Sequence, residues 1–307
     1  SAPSPSSARP AEPSAGAARP TPSAPLRAPA PPRARAPPRA PTAGPAVADA
    51  SEEAVALARL YDVDLIEDPG DLDLYLALAR RTGGPILELG TGTGRLAVPL
   101  ALTGFEVTAV DLDPAMLERA ERFLAAVGPD AAARLEFVPA DLLDVELASA
   151  GTFRLGFIAL NTLFLLGTRD RQRRAIRTLA AHLAPGGIAV VDVWLPDTDD
   201  LARFDGRLIL EYERPDPDTG HQVTKVAAAR HDPAMAVVDL TSIYDEGPPG
   251  EPPVRWIRRD ALRLVGADEL RAMAEDAGLE VEQLAGSYDL DPLGPGSERA
   301  ILIARKT

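Results

Sequence analysis

Ile86-Leu87-Glu88-Leu89-Gly90-Thr91-Gly92-Thr93-Gly94 carries an apolar stretch into a glycine-rich turn, and Arg95-Leu96-Ala97-Val98-Pro99-Leu100 follows with helical character. Glycines let a backbone bend sharply and let a ligand approach without meeting a Cβ. The start of a helix offers free N–H groups to polar or anionic ligand atoms. The next apolar stretch, residues 105–110, ends at Asp111. A carboxylate at the tip of a second strand can accept hydrogen bonds from a ribose diol, as in α/β folds that bind nucleotides. The run therefore predicts a site for a cofactor containing a nucleoside.

The spacing of the glycines separates two such cofactors. A dinucleotide fingerprint reads G-x-G-x-x-G. Here Gly90, Gly92 and Gly94 read G-x-G-x-G, Arg95 stands where the third dinucleotide glycine belongs, and Glu88 precedes the first glycine by two. This pattern resembles the first motif, E/D-x-G-x-G-x-G, of the class I S-adenosylmethionine-dependent methyltransferases. The resemblance covers residues 49–307. It is similar to bacterial small-molecule methyltransferases, including the aminosugar N,N-dimethyltransferases, and Gly286-Ser287-Tyr288-Asp289 and Ser297-Glu298-Arg299 carry it toward the C-terminus. It implies S-adenosyl-L-methionine as cofactor, S-adenosyl-L-homocysteine as product, and in-line displacement by a nitrogen or oxygen of a small-molecule acceptor. An NAD-dependent oxidoreductase is the alternative that Arg95 argues against. A non-catalytic module that binds the same cofactor is another.

Composition narrows the class further. Residues 1–48 hold 14 of the 31 prolines with Ala, Ser and Arg and few large apolar side chains, so they are expected to be a disordered tail. They lack the continuous apolar run of a secretory signal, and their prolines forbid the amphipathic helix of a transit peptide. With six Arg and one Glu the tail carries +5, which leaves −19 on residues 49–307 of a chain whose net charge is −14. A body this acidic repels phosphate backbones and argues against nucleic-acid substrates. No apolar run reaches the length of a membrane span, and a cytoplasmic enzyme is expected. The chain has no cysteine, which excludes disulfides, thiolate metal sites and a cysteine nucleophile. No His, Asp and Glu grouping has the spacing of a metal site.

Along the body, residues 51–82 read as two helices broken at Asp68-Pro69-Gly70, with Ser51 as an N-cap ahead of Glu52 and Glu53. Strands are expected at 85–89, 105–110, 135–138, 153–160 and 188–194, alternating with helices, which predicts a parallel sheet. The helix before the fifth strand is expected to end at Pro185-Gly186-Gly187. From about 205 to 264 the period changes to strict alternation with turn residues between four stretches, which predicts an inserted antiparallel sheet. A last helix and two last strands follow. This order matches the Rossmann-like fold that the resemblance implies: α/β, seven strands with the last antiparallel, and a small inserted β lid.

The resemblance also assigns roles. Glu88, Gly90, Thr91, Gly92 and Gly94 would hold the methionine part of the cofactor, Asp111 its ribose, and Leu112 would pack on adenine. Asp141, at the tip of the third strand, would accept the adenine amino group with Leu142 beside it; a helix N-cap is the competing role. Asn161 is the chain's only asparagine and stands just past the fourth strand, where open α/β sheets bind ligands, so it is expected to bind the cofactor at its edge; a turn residue is the competing role. It opens Asn161-Thr162-Leu163-Phe164 rather than Asn-Pro-Pro-Tyr, which argues against exocyclic-amine methylation of nucleobases. Tyr61 lies in the N-terminal segment that related enzymes fold over the cofactor, whereas Tyr75 reads as core. Trp194 is expected to face the acceptor. Tyr212, Tyr244 and Trp256 in the insert could form an aromatic wall or contact the sulfonium by cation–π attraction, or simply form the core of the small sheet. His221 and His231 are base candidates or turn residues, and Asp197-Thr198-Asp199-Asp200 reads as a solvated loop. No catalytic residue is assigned, and the oligomeric state is left open.

Overall fold

The computed structural model describes residues 50–307; the tail expected over residues 1–48 lies outside them. Two helices, α1 (Ala50–Asp64) and α2 (Leu72–Thr82), precede strand β1 (Ile86–Leu89). Then come α3 (Ala97–Leu102), β2 (Val107–Asp111), α4 (Pro114–Val127), the short α5 (Pro129–Ala132), β3 (Leu135–Pro139) and β4 (Phe153–Ile158). A 3-10 helix (Thr162–Leu166) leads to α6 (Arg169–His182), β5 (Leu183–Trp194) and α7 (Thr198–Arg203). The insert is β6 (Asp205–Pro215), β7 (Gln222–Asp232), β8 (Val237–Gly247) and β9 (Val254–Arg263), and α8 (Ala267–Asp276), β10 (Leu279–Ala285) and β11 (Arg299–Lys306) close the chain.

The main sheet has seven strands in the order β10-β11-β5-β4-β1-β2-β3, and β11 runs antiparallel to both of its neighbours. The insert is a separate four-stranded antiparallel sheet, β6-β7-β8-β9. The central strands are apolar on both faces because helices cover both. Ile86 belongs to one buried cluster with Leu74, Leu78 and Leu100, while Leu87 and Leu89 belong to the other with Ile176, Leu179 and Leu270. Each such side chain, fully buried, contributes roughly 1.5–3 kcal/mol. Helix α4 begins where Asp113 accepts from the Ala115 N–H with Pro114 next to it, and its apolar face, Leu117, Ala120 and Leu124, is buried. Among the described residues no helix is long and apolar enough to cross a membrane.

Four local expectations change. Ser51 lies inside α1 rather than ahead of it. The regular helix after the glycine loop starts only at Ala97, because residues 92–96 are spent on turns. Pro185-Gly186-Gly187 does not end a helix; α6 stops at His182, and these residues bulge from β5 between the pairs Phe153–Leu183 and Leu155–Ile188. Asp197-Thr198-Asp199-Asp200 is not a loop. Asp197 and Asp200 form a capping box, each carboxylate accepting the other's backbone N–H, and so start α7.

Helix α1 packs on the insert. Its Ala56, Leu60 and Val63 share a small core with Val223, Tyr244 and Trp256.

Candidate functional site

The ends of β1, β2 and β4 meet beneath α1 and the inner face of the inserted sheet. Gly90 has φ of +84°, and a Cβ there would run into the Thr162 methyl group at the start of the 3-10 helix. Only glycine lets these two turns close on each other. Four N–H groups of the loop, which the sequence suggested would be open to a ligand, already have acceptors. Gly90 and Thr91 both donate to the Val110 carbonyl (2.8 and 3.0 Å), and Gly94 donates to Thr91. Gly92 donates to Asp111 Oδ2 at 2.7 Å.

Asp111 thus stands at the tip of β2 with both oxygens engaged, the second by the Asp113 N–H at 2.9 Å. Burial pushes its carboxyl pKa upward, and the backbone N–H groups of Asp113 and Gly92 oppose that shift. Asp111, Gly90, Gly92, Tyr61, Thr162 and Arg258 line one cleft of about 460 Å³. The Tyr61 ring lies beside Gly92, and burial pushes its phenol up to about 12, so it is a neutral hydrogen-bonding group.

Glu88 lies under this cleft rather than in its wall. Its side chain is only 3 % exposed, and Thr91, also buried, donates its hydroxyl to Oε2 at 2.8 Å. Burial raises the Glu88 pKa to about 8. Beneath the cleft, Glu88 and Thr91 brace the loop from below through this hydrogen bond. Gly94 likewise packs its backbone toward Ala120 and Val98 rather than toward the cleft.

The adenine-side candidates are spread along the rim. Leu112, next to Asp111, is 67 % exposed. Asp141 accepts from the Leu143 N–H at 2.9 Å, a local turn bond, and Leu142 packs against the main core. Ala140 donates to the Asp111 carbonyl and ties this turn to the tip of β2. None of these three side chains lines the cleft.

Asn161 joins two strand tips. It has φ of +65°, and its Oδ1 accepts from the Trp194 N–H at 2.6 Å. A backbone N–H can only donate, so the amide oxygen must face Trp194 and the amide NH2 is left as a donor. Asparagine is among the side chains that tolerate this left-handed conformation. Asn161 and Trp194 both line a second cavity, described below.

Tyr212, Tyr244 and Trp256 form no wall of either cavity; they join α1 to the insert. Asp64 accepts both tyrosine hydroxyls, at 2.7 and 2.8 Å, and an N–H of Lys225 at 3.0 Å. Trp256 Nε1 donates to Glu246, which also pairs with Arg59 of α1 and His221. The tyrosine hydroxyls point at α1 because Asp64 of that helix accepts both, and Trp256 reaches it through Glu246, the partner of Arg59. Asp62 extends the same fastening: it accepts from Thr93 of the glycine loop at 2.6 Å and pairs with Arg119, which reaches Asp218 at 2.8 Å. Among the described residues no group of three His, Asp or Glu could hold a metal ion.

Arg258 and Asp260, which line the cleft from β9, were missed in the sequence. Parity would have found them, since they stand two and four residues beyond the inward-facing Trp256.

A family model described as a methyltransferase domain matches residues 61–284. The chain is 26 % identical over 233 residues to the cypemycin N-terminal methyltransferase of a Streptomyces species, covering 73 % of this chain and 84 % of that protein. It is 28 % identical over 204 residues to the dTDP-4-amino-2,3,4,6-tetradeoxy-D-glucose N,N-dimethyltransferase of Saccharopolyspora spinosa, covering 66 % and 74 %. Among solved structures, the CcbJ methyltransferase of Streptomyces caelestis superposes with a TM-score of 0.67 at 26 % identity, over 79 % of this chain and 98 % of that one.

Proposed function

The chain belongs to the methyltransferase-domain family, and from that premise we propose how its residues divide between cofactor and acceptor. It is an S-adenosylmethionine-dependent enzyme that methylates a small-molecule acceptor. The observation that carries the residue assignment is the convergence of Asp111, the Gly90–Gly92 turn and Tyr61 on one cleft. That cleft suits the cofactor: a glycine turn with no room for a Cβ, a strand-tip carboxylate for ribose hydroxyls, and a neutral tyrosine above.

Bound S-adenosylmethionine supplies a methyl group on a positively charged sulfur that is already a good leaving group. The protein's part is placement. In this reading Asp111 accepts the ribose hydroxyls, the turn braced by Glu88 and Thr91 fixes the depth of the cleft, and Tyr61 on α1 covers it against water. Asn161 holds the boundary with the acceptor side. Orientation of this kind can supply roughly 7–11 kcal/mol of barrier reduction. An acceptor amine needs no strong base, since its lone pair attacks directly and its proton can leave to water. We read the acceptor atom as nitrogen, in line with the two N-methylating relatives. The same reading has the enzyme working in the cytoplasm, an expectation carried over from the sequence.

Calorimetric titration of the full chain with S-adenosylmethionine, S-adenosylhomocysteine and NAD tests the cofactor site. Binding of the first two and not NAD is expected. Binding of NAD alone would overturn the assignment.

A further inference from the structure

A second cavity, of about 410 Å³, adjoins the cofactor cleft. Two elements border both. Along the 3-10 helix, Thr162 and Leu165 line the cofactor cleft, while Asn161 and Phe164 line the second cavity. Residues three apart eclipse in such a helix, so these are two neighbouring ridges. Along β9, Arg258 and Asp260 face the cleft and Leu262 faces the second cavity. Alternate residues of a strand share a face, so one sheet surface passes from one chamber to the next.

The second chamber differs in chemistry from the first. On the main-sheet side it has Trp194 and Phe204, with ring centroids 6.0 Å apart, and buried Phe164. Ala229, Leu240 and Leu262 of the insert face them. The charges at its rim are already matched: Arg203 pairs with Asp200 at 3.7 Å and Lys225 with Glu211 at 2.9 Å. No histidine lines it. Asn161, with its oxygen held by Trp194, offers an N–H donor at the boundary between the chambers.

Resting on the cofactor reading above, we propose that this cavity holds the body of the acceptor, and that the acceptor is an amine carried on an apolar ring or chain. Aromatic and aliphatic walls gain most from covering apolar surface. A polyhydroxylated or phosphorylated body would lose its water there and find its counter-charges already paired. Nitrogen suits a chamber without a free base. Its lone pair forms the new N–C bond, the S–C bonding pair stays on sulfur, and the ammonium proton leaves to water.

The test uses the full chain saturated with S-adenosylhomocysteine and titrated by calorimetry with phenethylamine, cyclohexylamine and glucosamine. The apolar amines are expected to bind at least about tenfold more tightly than glucosamine, a gap of about 1.4 kcal/mol. Ala229→Phe, which fills the chamber from β7, should weaken them by about tenfold and leave S-adenosylhomocysteine affinity within about twofold. Should that variant fail to fold, Ile209→Ser on the exposed edge strand should weaken the apolar amines in the same direction. Glucosamine binding as tightly as the others, or unchanged affinity in the folded variants, would overturn the proposal. Binding of the cofactor product without any of the apolar amines would overturn it too, and leave the cofactor site intact. Failure of S-adenosylhomocysteine to bind would instead bring down the cofactor reading and this proposal with it.

Discussion

The Tyr75 hydroxyl, on α2, donates to Asp192 Oδ2 at 2.9 Å inside the sheet core, and the same oxygen accepts the Leu160 N–H at 2.9 Å. The other oxygen accepts from Tyr288 at 3.2 Å and Arg299 at 3.1 Å. A wholly buried carboxylate therefore gathers donors from four segments of chain. One of them is the turn, Leu160–Asn161, that separates cofactor from acceptor. Both residues of that turn have positive φ, a conformation that non-glycine residues hold only when their surroundings fix it.

Asp192→Ala should cost about 3–5 kcal/mol of stability, since it leaves the buried Tyr75 hydroxyl and the Leu160 N–H without an acceptor and the half-buried Arg299 without its partner. Tyr75→Phe removes one of four donors and should cost only about 1–2 kcal/mol. Urea unfolding of the two variants gives both values. Equal losses would show that Asp192 is not the centre of this network.

Asp111→Ala should weaken S-adenosylmethionine by tenfold or more, on the basis of about 1.5–3 kcal/mol for each hydrogen bond to a charged group. Calorimetry reads this directly. Near-normal affinity would remove the ribose role.

Asn161→Ala should lower kcat by about tenfold while cofactor affinity stays within about twofold, because the boundary turn loses its tie to Trp194 but the cleft keeps Asp111 and Tyr61. Measuring both quantities separates positioning of the acceptor from binding of the cofactor. A parallel fall in cofactor affinity would place Asn161 in the cofactor site instead.

Glu88 gives stability a definite pH dependence. Its pKa rises from the usual 4.5 to about 8 because burial disfavours the charged form. In the unfolded chain the proton leaves near the usual value, so between the two values the native state binds more protons than the unfolded one. This contribution is fully present below pH 4.5 and is lost as pH rises through about 8. Glu88→Gln, which mimics the protonated form, should therefore stabilise the cofactor-free protein at pH 9 by roughly 2–4 kcal/mol relative to wild type, and by little at pH 5. Denaturant midpoints of both proteins across that range check the sign.

The main sheet was legible in the sequence because its strands are apolar and separated by turn residues, and the glycine spacing around Gly90 named the cofactor class. The insert was legible from its alternation. What the sequence did not reveal were partnerships across long separations. For Tyr212 and Tyr244 the sequence left a ligand-facing wall and a sheet core both open, and it could not show that Asp64, more than a hundred residues earlier, accepts both hydroxyls. Asp197 and Asp200 looked like a loop because a capping box is two local hydrogen bonds and leaves no hydrophobic trace. The motif named Glu88 but not its buried hydrogen bond with Thr91, which depends on which side of the loop the side chain occupies.

Arg59 and Asp64 fasten α1 to the insert, so the roof of one chamber cannot lift away from the wall of the other without breaking these bonds. Exchange of spent cofactor and departure of methylated product are therefore expected to be coupled. A second methyl transfer to the same molecule would have to wait for that opening, so a monomethylated intermediate should be released into solution between turnovers rather than carried through to the end.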